Sequence, residues 1–376
     1  MRNCTWVAIA IIGILFVIFP VSGCSEFILK NSSPDNVISG RTIDFLYSTL
    51  TDTNFAMEPK GQNDISLSSL IPDEPGLSWN NTYGFVGVAN FAGIMQEYNE
   101  GHLYYLDVLN EAGLSASFLW LNEAQFPHNI TNPQNALFYL DLPGWIAGNF
   151  KTLDEVKEGL SSVEIWAPEG LDSTYPLHLC VHDASKKSMI IEWVEDENNN
   201  PVMNIYDGDM VDDNYGVMTN SPVYPLQLAS LENYKNSMPE NHFEGLPGGV
   251  SMSDRFIRLS KLNEYNQQIP YEMGDISQAF HLLNSVDVAF GNEPSFFEIR
   301  GVGSIPGDDY TYLTVVRDHT NPAYYYRSWR DQSIRKIDFS KIDFMKDASD
   351  LIPVDPNPVL EMSPLYTDLT YFFQEM

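Results

Sequence analysis

Cys24 is the residue of this sequence with the most chemistry to offer, because of what precedes it. Arg2 gives a positive start, Trp6–Phe19 runs uncharged and apolar, and Val21-Ser22-Gly23 ends the run with small residues. That is the pattern of an export signal cut after Gly23, and the run is too short to span a bilayer. With Cys24 first, its own α-amino group stands beside its thiol. An amine of reference pKa about 7.7–8.0 can take the thiol proton and later hand it to a leaving amine, so one residue supplies nucleophile, base and acid. Val21-Ser22-Gly23-Cys24 equally fits the site at which bacterial lipoproteins are lipidated, where a thioether blocks the sulfur. The leader alone leaves both routes open.

The chemistry needs partners. Arg41-Thr42-Ile43-Asp44 follows on the second strand of an expected hairpin. A cation there favours thiolate, and a carboxylate can hold an α-ammonium. A surface ion pair at a strand end is the plainer reading of the same residues. Further along, Thr219-Asn220-Ser221-Pro222 offers an uncharged amide on a stiffened backbone, suited to an oxyanion, though it also reads as a plain turn.

The elements that must position these residues are strands at both ends with helices between. Phe27–Lys30 and Val37–Phe45 read as strands joined by the turn cluster 31–36, followed by Tyr83–Phe91, Leu103–Leu109 and Leu114–Leu121. Asn135–Phe150 and Leu153–Leu160 have helical spacing, the second opened by Thr152 and Glu155 as a capping box. A meander of Leu177–His182, Ser188–Val194 and Pro201–Tyr206 comes next. Helices over Asp254–Tyr265, capped by Ser253, and Ile276–Val286 precede a hairpin of Tyr310–Val316 and Ala323–Trp329. The layout is α+β with layered sheets, in one domain from 24 to 376 after a leader of 1–23.

In order along the chain, Cys24, Arg41-Thr42-Ile43-Asp44-Phe45, Asn110-Glu111-Ala112-Gly113-Leu114, Thr219-Asn220-Ser221-Pro222 and Arg255-Phe256-Ile257-Arg258 resemble the successive motifs of the choloylglycine hydrolase family. That family holds bile salt hydrolases and penicillin V acylases. The Tyr324-Tyr325-Tyr326 strand is similar to its last hairpin. The resemblance implies an N-terminal-nucleophile αββα four-layer sandwich with two antiparallel sheets, and hydrolysis of linear amides without metal or organic cofactor. It implies Cys24 as nucleophile, Arg41 and Asp44 as its charge and ordering partners, Asn220 as oxyanion donor and Arg255 as a further cation. The second oxyanion position falls on Trp120 without a gap, with Asn122 as a competing alignment. Expected substrates are conjugated bile salts, penicillin V or N-acyl homoserine lactones.

The stretch from Asn220 to Arg255 is shorter than in members whose extra hairpin there locks a tetramer, so a homo-oligomer is left open. The reduced hairpin and the leader are more similar to the Gram-negative members, which points to the periplasm or the medium, with lipid anchoring as the other route. A lipid-anchored, non-catalytic binding protein on the same fold is the reading from a different class.

Composition narrows the field. A net charge of −31, from 20 Lys+Arg against 51 Asp+Glu spread along the chain, lacks the basic stripe that nucleic-acid binding needs. At 44% hydrophobic, the chain can bury a large core. A bridge between Cys24 and Cys180 is not expected, since a cysteine in an apolar strand is usually a small buried hydrophobe. Asp207-Gly208-Asp209 with Asp212-Asp213 reads as a solvated acidic turn before a calcium loop, because Val211 stands where an oxygen ligand belongs. His178 and His182 share one side of a strand with no third ligand nearby, which favours structural histidines.

Overall fold

The structure is a computed structural model that describes residues 23–33, 35–46, 53–69, 74–90, 102–237, 243–268, 274–299, 303–346 and 351–354. The leader over 1–22 and Phe91 lie outside the described residues.

Two antiparallel sheets lie face to face. The first runs β14 (Met218–Thr219), β1 (Ser25–Ile28), β2 (Ile38–Leu46), β16 (Gly303–Asp318), β17 (Ala323–Ser328) and β18 (Arg335–Asp338), with β15 (Glu293–Ile299) also paired to β16. The second runs β13 (Pro201–Tyr206), β12 (Ser188–Glu195), β11 (Leu177–His182), β8 (Ser115–Trp120), β7 (Tyr104–Asn110), β6 (Phe85–Asn90), β3 (Asn54–Glu58) and β19 (Ile352–Pro353). A hairpin of β4 (Asn63–Leu67) and β5 (Pro75–Asn80) and a parallel pair of β9 (Ala136–Phe138) and β10 (Glu164–Trp166) stand apart from both.

Helices cover the outer faces. On the second sheet, α1 (Leu142–Asn149) packs on β7 and β8, and α2 (Leu153–Leu160) follows it. On the first, α4 (Met252–Glu264) contacts β14 and α5 (Gly274–Asn284) contacts β2 and β16, while α3 (Tyr224–Ser237) packs on α4. The αββα sandwich expected from the resemblance is the observed fold. Strands β7, β8 and β11 are buried at every residue, because each is covered on both faces.

Local chemistry explains the elements and several departures from the expected bounds. Thr152 Oγ1 accepts the Glu155 N–H at 3.3 Å, while the Glu155 carboxylate accepts from Lys151 N at 2.9 Å, so the box at α2 closes one residue upstream of the cap. Helix α4 is capped by Ser251 and not Ser253: the Ser251 hydroxyl accepts the Asp254 N–H at 3.2 Å, which starts the helix at Met252. The stretch 135–150 is not one helix. Its first part is drawn into β9, where Leu137 pairs with Ile165, and after a 3-10 turn over Tyr139–Asp141 the α-helix begins at Leu142. Helix α3 was not anticipated, since its sequence, with Pro225 in the first turn, shows little helical periodicity.

Candidate active site

The β1–β2 hairpin sets the geometry. Ser25 pairs with Thr42 and Glu26 with Arg41, so Cys24 stands at the end of β1 beside the middle of β2. Alternation along β2 then sends Arg41 and Asp44 to opposite faces of the sheet. Arg41 points toward the second sheet, where its Nη1 donates to the Leu106 carbonyl at 2.7 Å and its Nη2 donates to the Phe118 carbonyl. Asp44 faces the helices, accepting from Thr311 Oγ1 at 2.6 Å and lying 3.6 Å from Arg255 Nη1. Burial raises the Asp44 carboxyl above its usual range against the pull of Arg255.

Both branches reach Cys24. Arg41 Nη2 stands 3.5 Å from its sulfur, and Arg255 Nη1 donates to its carbonyl at 3.2 Å and to Ser25 Oγ at 2.7 Å. One pocket is lined by Cys24, Arg41, Asp44, Asn220 and the apolar side chains of Ile43, Leu106, Phe118, Leu119, Trp120 and Leu177. The Asn220 carboxamide is fully buried, and neither its Nδ2 nor its Oδ1 has a hydrogen-bond partner among the described residues. A buried amide left unpaired is costly unless something else occupies it, which suits a donor kept for an oxyanion. The structure thus brings Cys24, Arg41, Asp44, Asn220, Arg255 and Trp120 together. Arg255 meets the Cys24 backbone and the Asp44 carboxylate, so its place is a brace beneath the sulfur.

Of the two alignments at the second oxyanion position, Trp120 lines the pocket. Asn122 instead accepts the Trp120 indole N–H at 2.8 Å, while its own N–H donates to Ser221 Oγ at 2.7 Å. The indole is thereby tied to the turn that carries Asn220.

Sequence reasoning missed Gln227. On α3 it donates to the carbonyls of Asn220 at 2.6 Å and Pro222 at 2.7 Å and accepts from Thr219 N at 3.0 Å, clamping the turn 219–222. It also missed Glu26, Asp107 and Arg317, which gather with Arg41 between the sheets. The readings of His178 and His182 need one correction. His182 does have close neighbours: its Nε2 donates to Glu26 Oε1 at 3.0 Å and lies 3.5 Å from Cys180 Sγ. These three could reach one ion, but Arg317 Nη2 already sits on Glu26 Oε1 and supplies the positive charge there. His178 Nδ1 donates to Glu192 at 3.0 Å. Cys24 and Cys180 are both free thiols. In the acidic turn, Asp207 pairs with Lys157 and Asp212 accepts from Ser188 N at 3.2 Å.

A larger cavity of about 200 Å³ lies elsewhere, among Glu58, Asp64, Trp79, His102, Tyr105 and Asp141. Its lining pairs Tyr105 Oη with Glu58 at 2.6 Å and His102 with Asp141 at 2.7 Å, and includes no thiol.

The profile of the linear amide C–N hydrolases of the choloylglycine hydrolase family matches residues 24–354. The chain belongs to this family. Among curated relatives, a penicillin V acylase of Pectobacterium atrosepticum is 28% identical over 89% of this chain and 86% of its own length. A bile salt hydrolase/transferase of Lactiplantibacillus plantarum is 30% identical over 63% of this chain and 74% of its own. In structure, the fold is similar to a penicillin V acylase from Agrobacterium tumefaciens, with a TM-score of 0.67, 24% identity, and 86% and 88% of the two chains covered. A conjugated bile acid hydrolase from Clostridium perfringens gives a TM-score of 0.68 at 18% identity, covering 90% and 98%. As a member of this family, the chain is an amidohydrolase of linear amides.

Proposed function

We propose that the working chain is exported, begins at an unmodified Cys24, and cleaves amides of slim apolar acyl groups with the Cys24 thiolate as nucleophile. One observation carries this: the Cys24 sulfur, 3.5 Å from a buried guanidinium, shares an apolar pocket with an unpartnered Asn220 carboxamide. Gly23 supports the start at Cys24. It lies against that carboxamide so closely that a Cβ at position 23 would fall 1.3 Å from Asn220 Nδ2. Removing residue 23 both opens the oxyanion position and creates the α-amine that the chemistry needs.

In this mechanism the thiol proton passes to the α-amine, and the sulfur attacks the amide carbonyl. Asn220 Nδ2 donates to the oxyanion, the C–N bond breaks as the α-ammonium protonates the leaving amine, and a thioester remains. Water then adds, giving a proton to the α-amine, and thiolate leaves as the acid is released. Arg41 stabilises the thiolate at both stages, and Asp44, which lines the same pocket, holds the α-ammonium.

The pocket is small, and apart from Cys24, Arg41, Asp44 and Asn220 its lining is apolar, with the Trp120 indole as one wall. That favours the aryl or alkyl acyl groups of penicillin V and N-acyl homoserine lactones over a conjugated steroid. The isolated chain, its N-terminus sequenced and its mass measured, is assayed with penicillin V, acyl homoserine lactones, glycocholate and taurocholate. Turnover is expected to favour the first two and to vanish in Cys24→Ala. A diacylglyceryl mass on Cys24, or turnover in that variant, overturns the mechanism; preference for the bile salts overturns the substrate class.

A further inference from the structure

Behind Arg41 lies a fully buried cluster of four charges from three strands of one sheet and one of the other. Glu26 comes from β1, Arg41 from β2, Arg317 from β16 and Asp107 from β7, all with side chains sealed from solvent. Asp107 Oδ2 stands 3.2 Å from Arg41 Nη1 and 3.5 Å from Arg317 Nη2. Glu26 Oε2 is 3.9 Å from Arg41 Nε, while its Oε1 takes Arg317 Nη2. Each carboxylate therefore touches both guanidinium groups. Tyr324 Oη donates to Asp107 Oδ1, the oxygen turned away from the arginines, at 2.7 Å, and Ser117 Oγ donates to Glu26 Oε2, the oxygen nearer Arg41, at 2.7 Å, so each carboxylate is also held by a hydroxyl.

Arg317 has no other work. Its Nε and Nη1 have no hydrogen-bond partner among the described residues, and its contacts are with Glu26 and Asp107. A buried guanidinium bonded so sparingly is retained for its charge. With two carboxylates and Arg41 alone, the net field behind Cys24 would be negative. Arg317 brings the four charges to balance and leaves the Arg41 guanidinium free to favour an anion on the sulfur side. We propose that Arg317 is a positioning residue of the reaction: through Glu26 and Asp107 it holds Arg41 against the Cys24 sulfur and sets the reactivity of that thiol. This rests on Cys24 being the nucleophile.

Other charged and titratable groups around Cys24 and Arg41 are accounted for. Asp44 on β2 is paired to Arg255 on α4, and His182 and Cys180 on β11 lie beyond Glu26. Burial pushes the Cys180 thiol well above its ordinary range, so it does not compete as an anion. Removing Arg317 takes away a positive charge, and removing the Glu26 charge takes away a negative one. The two changes must act on the thiol with opposite signs.

The test follows the Cys24 peptide by mass while the folded protein, expressed from its full-length sequence, reacts with iodoacetamide across roughly pH 5–10, the range in which a thiol can titrate. Arg317→Gln is expected to move the midpoint of alkylation up by about one pH unit, with the acid limb of kcat/KM moving alongside, and Arg317→Lys to restore most of it. Glu26→Gln is expected to move the midpoint down. Midpoints that stay put, or that move the same way in both variants as loosened packing would make them, overturn the proposal. If Arg317→Gln does not fold, the downward shift in Glu26→Gln and the near-native midpoint of Arg317→Lys decide. Cys24→Ala is assayed in parallel: turnover there overturns the nucleophile, whereas lost turnover with unmoved midpoints overturns the role of Arg317 alone.

Discussion

Asn220 is the residue whose loss should be read in rate and not in fold. Its carboxamide has no hydrogen-bond partner among the described residues, and the turn that carries it is held by Gln227 through backbone carbonyls. Asn220→Ala should therefore leave the turn in place. It should lower kcat by roughly 10²–10³, the loss of about 2.7–4 kcal/mol that follows removal of one oxyanion donor. A change confined to KM would make Asn220 a binding residue. The individual motif residues were legible in the sequence because each stands in a short run with its own signature: Arg41 in a strand, Asn220 before Ser-Pro, Arg255 on a helix. Glu26, Asp107 and Arg317 were not. Glu26 and Asp107 are single charges in their strands and Arg317 follows an apolar run, and only sheet pairing and the stacking of two sheets bring positions so far apart in sequence to one point.

Among the elements, the β7–β8 turn bears the sharpest constraint. Asn110 Oδ1 accepts from Ala112 N and Leu114 N, and its Nδ2 donates to the carbonyls of Ala147 and Phe150, fastening the turn to the end of α1. Gly113 sits at φ +84°, and a Cβ there would lie 2.0 Å from the His319 carbonyl oxygen. Gly113→Ala meets both a left-handed backbone and a backbone atom that cannot step aside. It should cost more than about 2 kcal/mol, measured by denaturant melts; a near-native melt would mean the turn has another conformation to hand. Strands and turns of this kind were readable, since short apolar runs on either side of an Asn-Glu-Ala-Gly turn announce them. The 135–150 stretch was not, because a fully buried apolar run reads alike as helix or strand until its partner β10 is known. Helix α3 escaped for the converse reason: its buried face of Tyr224, Gln227, Leu231 and Tyr234 mixes polar with apolar residues, and Leu226 is exposed away from that face, which blurs the helical period.

For the molecule as a whole, the buried polar layer between the sheets dictates how it meets acid. His319 donates from Nδ1 to the Gly113 carbonyl and accepts from Ser39 at Nε2, and burial, with His182 and Arg317 nearby, lowers its pKa to about 3. The unfolded chain takes up that proton near pH 6.5, so it binds more protons than the folded chain as the pH falls from there to about 3. Stability is lost over that window at up to about 1.4 kcal/mol per pH unit. Burial works against the Glu26 carboxylate, but Arg317, His182 and Arg41 outweigh it and bring the pKa to about 2, adding a second loss of the same sign below about pH 4.5. Asp287, pushed up to about 6 by burial despite Arg327, runs the other way: its folded form keeps a proton the unfolded chain has given up, which stabilises below that pH. Being a third exposed, it offsets only a small part. Burial raises Asp44, Glu58, Asp64 and Asp318 as well, with the same sign as Asp287, so His319 is isolated by comparing two proteins: between pH 7 and 4, His319→Gln should lose less stability than the parent in melts, and equal losses would mean another buried group takes the proton. The tie between Trp120 and Asn122 carries a different consequence. Of the seven tryptophans, this one walls the pocket at Cys24, with its N–H already engaged by Asn122. Its emission colour is then governed by what lies against the ring face, so whatever fills or leaves this pocket is written into the intrinsic fluorescence of the protein.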